Sequence, residues 1–129
     1  MLIWPITDLL DEDRCYAYLR DWLYPDGLVC PHGHPLPPDQ APHDRHRAPI
    51  LEYRCRQCGA VFNLFTGTVF SKTRYSCRLI LQILRGIAQG LSTKHLAEEL
   101  HVDRGHLLER RHAIQALLQQ RPSPLDPGR

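Results

Sequence analysis

Tyr53-Arg54-Cys55-Arg56-Gln57-Cys58-Gly59-Ala60-Val61-Phe62-Asn63-Leu64-Phe65-Thr66-Gly67-Thr68-Val69-Phe70 is the stretch that decides how this chain folds. Cys55 and Cys58 have the two-residue spacing that lets neighbouring thiolates grip one tetrahedral zinc ion. Gly59 follows where the turn around a metal needs a residue free to take positive φ. Val61, Leu64 and Phe65, with the Thr66-Gly67-Thr68 turn, predict a short β-hairpin. A metal knuckle feeding a hairpin is the plan of a zinc ribbon, and small modules of that plan mostly hold nucleic acid or protein.

A ribbon needs a second ligand pair, and Cys30-Pro31-His32-Gly33-His34 reads as a knuckle in which histidine replaces the second cysteine. The longer side chain of His34 can span the extra residue. His32 stands so close to Cys30 that both face one metal only with strain. The expected ligands are Cys30, His34, Cys55 and Cys58, with His32, His43 or His46 as the substitute fourth ligand. Four protein ligands close the coordination sphere and leave no place for a catalytic water. Such a zinc is structural, and it replaces the large core that so short a ribbon cannot build. Cys15 and Cys77 read differently, as small hydrophobes on the apolar stripes of two helices.

The chain has 129 residues, enough for one compact domain or two very small ones stitched by a metal. No apolar run approaches the roughly 18 residues of a spanning helix, so no membrane partner is expected. The N-terminus lacks a basic region followed by an apolar core, and the five cysteines are an odd number, so neither export nor a disulfide framework is expected. These features point to a reducing, cytoplasmic setting. The formal charge of +2 hides a gradient. Residues 1–27 carry six acids against Arg14 and Arg20, whereas residues 28–75 and 76–121 each net +3. A basic body behind an acidic front suits a polyanionic partner.

Four segments follow from a pass along the chain, and together they predict a small α+β fold. Residues 1–27 contain a helix over 8–23, with Cys15, Tyr18, Leu19, Trp22 and Leu23 at helical spacing and acids near its start. Its acids are expected to form a solvated face. Residues 28–75 form the zinc ribbon of short antiparallel β-hairpins; within it, 31–49 hold six of the eleven prolines and form an extended loop. Residues 76–121 are helical. Ile80, Leu84 and Ile87 line a first helix, and Ser92 can cap a second over Thr93–Leu100. His101-Val102-Asp103 makes a turn, and Asp103 can cap a longer helix to about Gln119. Two helices joined by about three residues are the helix-turn-helix arrangement. Residues 122–129 include three prolines and form a tail.

The Cys-Pro pair at 30, Tyr53-Arg-Cys-x-x-Cys58, and Thr66-Gly-Thr-Val-Phe70 ahead of an amphipathic helix resemble the N-terminal zinc-ribbon region of bacterial insertion-sequence transposases. Trp22-Leu-Tyr-Pro-Asp-Gly-Leu-Val-Cys30 is similar to that family's approach to its first knuckle. The resemblance covers roughly residues 8–118. It implies a zinc ribbon and helix-turn-helix that bind the element's terminal DNA, ahead of a ribonuclease-H-like domain with acidic metal ligands that performs strand transfer. His34 departs from the family's usual cysteine. On this reading the chain stops where the catalytic domain would begin, so it is expected to bind rather than catalyse. The expected partner is double-stranded DNA, with a separate catalytic transposase subunit or self-association completing the assembly.

In such an arrangement the DNA-binding residues are Lys94, Arg104, His106, Arg110 and Arg111. The start of the last helix approaches base edges, with Glu109 on the same face. Arg104 and Arg110 are expected to be unburied, and Arg111 falls close to the Leu107–Ile114–Leu118 core stripe. Arg54, Arg56, Lys72 and Arg74 around the ribbon are candidate phosphate contacts. A two-metal nuclease needs converging carboxylates, yet the acids of the basic half are scattered; Glu98 and Glu99 are adjacent and point about 100° apart on a helix. The competing readings are a zinc-ribbon protein-interaction module and a small DNA-binding regulator.

Overall fold

Four side-chain oxygens mark where the helices of this chain begin. Asp11 Oδ1 accepts from the backbone N–H groups of Asp13 and Arg14 at 2.9 and 3.3 Å, and so starts α1, Glu12–Leu23. Ser76 Oγ accepts from Leu79 N at 3.1 Å ahead of α2, Cys77–Ala88. Ser92 does the same for His95 N ahead of α3, Thr93–Leu100, and Asp103 for His106 N ahead of α4, Arg104–Gln120. Each cap satisfies donors that the first helical turn leaves without an internal partner. The computed structural model describes residues 11–71 and 73–120. The expected first turns of α1 from residue 8, Lys72 and the 122–129 tail lie outside them. Among the described residues the four helices and one two-stranded antiparallel sheet make a small α+β fold.

The helix α2 is the centre of the helical layer, in contact with α1, α3 and α4. The expected stripe of Ile80, Leu84 and Ile87 is buried, and so are Cys77, Leu81, Ile83 and Gly86, because partners surround the helix instead of covering one side. Cys15 of α1 and Cys77 are both fully inaccessible, as their apolar-stripe reading requires. The approach of α3 depends on Gly86: any β-carbon there would overlap the Leu96 side chain. Between α3 and α4, His101 takes a left-handed φ of 57°, and Val102 N bonds back to Ala97 O at 3.1 Å. That reversal ends α3 and lets α4 start three residues later. Leu107 and Ile114 hold α4 to the core, while Leu118 is partly buried.

The strands differ from expectation. β1 is Tyr53–Arg54 and β2 is Val61–Phe62, with Tyr53 opposite Phe62 and Arg54 opposite Val61. The hairpin therefore spans the Cys55–Ala60 knuckle, and the Thr66-Gly67-Thr68 segment is not its turn. Residues 63–71 form successive turns because their own side chains capture the backbone. Asn63 Oδ1 accepts from Phe65 N at 2.8 Å, Thr66 Oγ1 from Asn63 N at 3.0 Å, and Thr68 Oγ1 donates to Phe65 O at 2.7 Å. These turns deliver Leu64, Phe65 and Phe70 into the core, with the two phenyl rings edge to face at 5.9 Å.

One acid also departs from its expected solvated role. Glu12 reaches across to the start of α2, where Oε2 accepts from Cys77 N at 2.8 Å and Oε1 from Arg78 N at 3.0 Å. Asp11, Asp13, Asp21 and Asp26 are exposed, as expected. Among the described residues no helix is long and apolar enough to cross a membrane.

Candidate metal centre and basic helical face

Two tight turns present the metal-ligating side chains. In the first, Cys30 N bonds to His34 O and Gly33 N to Cys30 O, both at 2.9 Å, with Gly33 at φ 87°. In the second, Cys55 N bonds to Ala60 O at 2.8 Å and Gly59 N to Cys55 O at 2.9 Å, with Gly59 at φ 77°. The first turn closes one residue sooner. Its glycine falls at the place where the second turn carries Cys58, so the ligand moves on to His34. The backbone N–H groups of His32, His34 and Gln57 point at sulfur, at 3.3 Å and 3.4 Å from Cys30 Sγ and 3.4 Å from Cys55 Sγ.

Cys30, His34, Cys55 and Cys58 converge, with one ligand atom from each within 4.8 Å of the others. Cys30 Sγ lies 3.7 Å from Cys58 Sγ, and His34 Nδ1 lies 3.4 Å from Cys30 Sγ and 3.5 Å from Cys55 Sγ. A tetrahedral ion with sulfur at about 2.3 Å and nitrogen at about 2.05 Å has S–S edges of about 3.8 Å and S–N edges of about 3.6 Å. These three separations match the edges of a coordination tetrahedron, so the residues fit a structural metal site. His34 completes it. His32 Nδ1 sits 3.4 Å from Cys58 Sγ, on the exposed side of the site and outside the converging group. His43 and His46 are exposed and do not join it.

The electrostatics of the knuckle favour a cation. Burial pushes the Cys55 thiol up, but the backbone N–H groups of Cys58 and Gln57, with Cys58 and His34, outweigh it and bring Cys55 down to about 6. At Cys58 the Ala60 N–H pulls the thiol down. Desolvation and the adjacent Cys55 and Cys30 sulfurs prevail and raise it above its ordinary value. One thiolate is therefore easily held, and a second is resisted by the first; a bound dication removes that repulsion.

The five residues expected on the DNA face separate into two groups. Lys94, Arg104 and His106 are exposed at the starts of α3 and α4. Arg110, expected to be unburied, is partly buried, and its Nη1 donates to Val69 O at 2.7 Å, tying α4 to the turns after β2. Arg111 is partly buried as well, donating from Nη2 to Leu91 O at 2.7 Å and from Nη1 to Thr93 Oγ1 at 3.3 Å. Both guanidiniums are drawn inward because the loops they meet leave backbone carbonyls pointing at the helix. Arg54, Arg56 and Arg74 are exposed. Sequence reasoning missed Gln40, whose Nε2 donates to Arg54 O at 2.6 Å and braces β1. Nothing in a proline-rich loop signals which of its polar residues will turn back onto a strand.

Compared with protein-family models, curated proteins and solved structures, the chain matches none.

Proposed function

We propose that this protein is a zinc-stabilised DNA-binding module of the transposase kind, which grips duplex DNA through a helix-turn-helix made by α3 and α4. The observation that carries the reading is the α3–α4 junction. Three residues join the helices, His101 supplies the left-handed reversal, and Lys94, Arg104 and His106 stay solvent-exposed beside it. A helix whose first turn carries exposed basic groups and is anchored by Leu107 and Ile114 suits insertion into a major groove. The three sulfurs and one imidazole favour zinc over harder ions such as magnesium or calcium, whose ligands are oxygens. Here the ion's work is to hold the ribbon folded beside α4.

On this reading the module's metal is structural: Cys30, His34, Cys55 and Cys58 form a four-residue group able to hold one ion. Four protein ligands leave that site without an open position. The test is an anisotropy titration of the zinc-loaded protein against random duplex DNA at two salt concentrations. Binding that weakens steeply with salt is expected. Absence of duplex binding would overturn the reading in favour of a protein-interaction module.

A further inference from the structure

A second basic feature adjoins the first turns of α4. A cleft of about 370 Å³ opens between the linker that follows the 63–71 turns and the first turns of α4, lined by Thr73, Arg74, Tyr75, His106 and Arg110. Among the described residues no carboxylate lines it. Arg110 is pinned there by its bond to Val69 O, which orients the guanidinium without neutralising it. Arg74 is exposed, and no ion pair is formed by it among the described residues. Asp103, which caps α4, accepts from the His106 backbone N–H at 2.9 Å and lies 3.6 Å from its ring nitrogen, while Glu109 of α4 is exposed and is not among the residues lining the cleft.

Arg74 also forms the wall of an adjoining cleft of about 340 Å³, with Arg47, Arg78 and Glu12 among its lining residues. Among the described residues Glu12 is the one acid that lines it, and its two oxygens accept from the Cys77 and Arg78 N–H groups. Arg47 is held by its bond to Tyr75 O at 3.0 Å. The result is a strip of Arg47, Arg78, Arg74, Arg110 and His106 in which four guanidiniums are set against the Glu12 carboxylate, which is held toward the start of α2.

We infer that this strip is a phosphate track, in which the cleft between Arg74, His106 and Arg110 seats one backbone phosphate of a duplex and the Arg47–Arg78 cleft receives the next part of the same strand. Two basic clefts sharing one arginine suit a polymer of phosphates better than a single small anion, and guanidiniums match phosphate oxygens in pairs. The track rests on the DNA-binding reading and extends it, because it continues the binding surface from α4 onto the ribbon side of the molecule.

The test uses the full, metal-loaded chain and two substitutions, Arg74→Ala in the track and Arg20→Ala on α1 as a control. Both variants are first checked for unchanged metal content and unfolding midpoint. Anisotropy on a short duplex between about 50 and 200 mM salt then gives the slope of log affinity against log salt, which falls by about 1 for each phosphate that the protein no longer neutralises. Arg74→Ala is expected to lower the slope by about that amount and weaken binding several-fold at the lowest salt, with Arg20→Ala unchanged. Inorganic phosphate is expected to shift the backbone amide resonances of Arg74 and His106. If the wild type binds duplex but Arg74→Ala keeps its full slope, the track is wrong and the helix-turn-helix reading stands. If phosphate shifts those resonances while the duplex slope is unmoved, the cleft takes a free anion and the nucleic-acid assignment is overturned. If the wild type binds no duplex, both fall.

Discussion

The Leu96 side chain of α3 occupies the space that a β-carbon on Gly86 of α2 would need. The two helices approach as closely as they do because position 86 has no side chain. Alanine there would raise helix propensity by about 1 kcal/mol, but overpacking a filled interface costs about 1–3 kcal/mol. Gly86→Ala is therefore expected to be destabilising, read as a lower urea midpoint with unchanged slope. Pairing it with Leu96→Ala should yield a smaller loss than the sum of the single changes, since the second substitution empties the contested space.

Glu12 joins the starts of two helices through one carboxylate. Glu12→Ala strands two α2 donors, and hydrogen bonds to charged groups contribute about 1.5–3 kcal/mol. A loss within that range is expected in chemical unfolding, against less than about 0.5 kcal/mol for Asp21→Asn, whose side chain is exposed. Equal effects of the two changes would show that the Glu12 carboxylate contributes nothing.

The metal site should tolerate one exchange and reject the others. His34→Cys keeps a soft ligand but leaves a side chain too short to span the extra residue, and should bind zinc more weakly. Cys55→Ser and His34→Ala should lose it and unfold the segment around the knuckles, while His32→Ala keeps a full equivalent. Elemental analysis of each purified variant, with circular dichroism before and after chelator, decides the matter.

Zinc uptake at pH 7 is expected to release protons. Cys55, at about 6, is already ionised there, whereas Cys58 is raised and must give up its proton to bind. Protons and metal compete for the same sulfurs, so affinity falls as pH falls and rises as pH rises. Calorimetric titration in two buffers of different ionisation enthalpy should give different apparent heats at pH 7. Identical heats would mean that no ligand is protonated in the apo protein.

Arginines of α4 should divide by what their side chains touch. Arg104→Glu is expected to weaken duplex binding at least tenfold with no change in stability. Arg111→Ala is expected to destabilise the fold by about 1–3 kcal/mol, because it leaves the Leu91 carbonyl and Thr93 hydroxyl without their partner. A stability screen run beside the binding titration separates the two cases.

Local chemistry made much of this readable in the sequence. Ser76, Ser92 and Asp103 announce helices through their own oxygens, and the Cys55–Cys58 pair with Gly59 announces a knuckle. His34 was reachable because a longer side chain can follow a displaced position. Features set by three-dimensional placement were not readable. The carboxylate of Glu12 caps a helix 65 residues further on, and the Arg110 guanidinium meets a carbonyl 41 residues earlier. Val61, Leu64 and Phe65 with the Thr66-Gly67-Thr68 turn suggested a short β-hairpin there, yet Asn63, Thr66 and Thr68 offered the backbone nearer partners. Helical spacing also put α2 on one apolar stripe, since periodicity reports one face and cannot count how many neighbours a central helix will have.

The burial of Cys15 and Cys77 divides the five sulfurs into two chemical populations. Desolvation, and then the negative charge of Glu12, push the Cys77 thiol up, so in the folded protein it offers no thiolate to an electrophile. Any alkylation seen under native conditions is consequently a signal from the knuckles alone. The molecule thus carries a built-in gauge of its own metal occupancy, with two silent sulfurs that speak only when the helical layer comes apart.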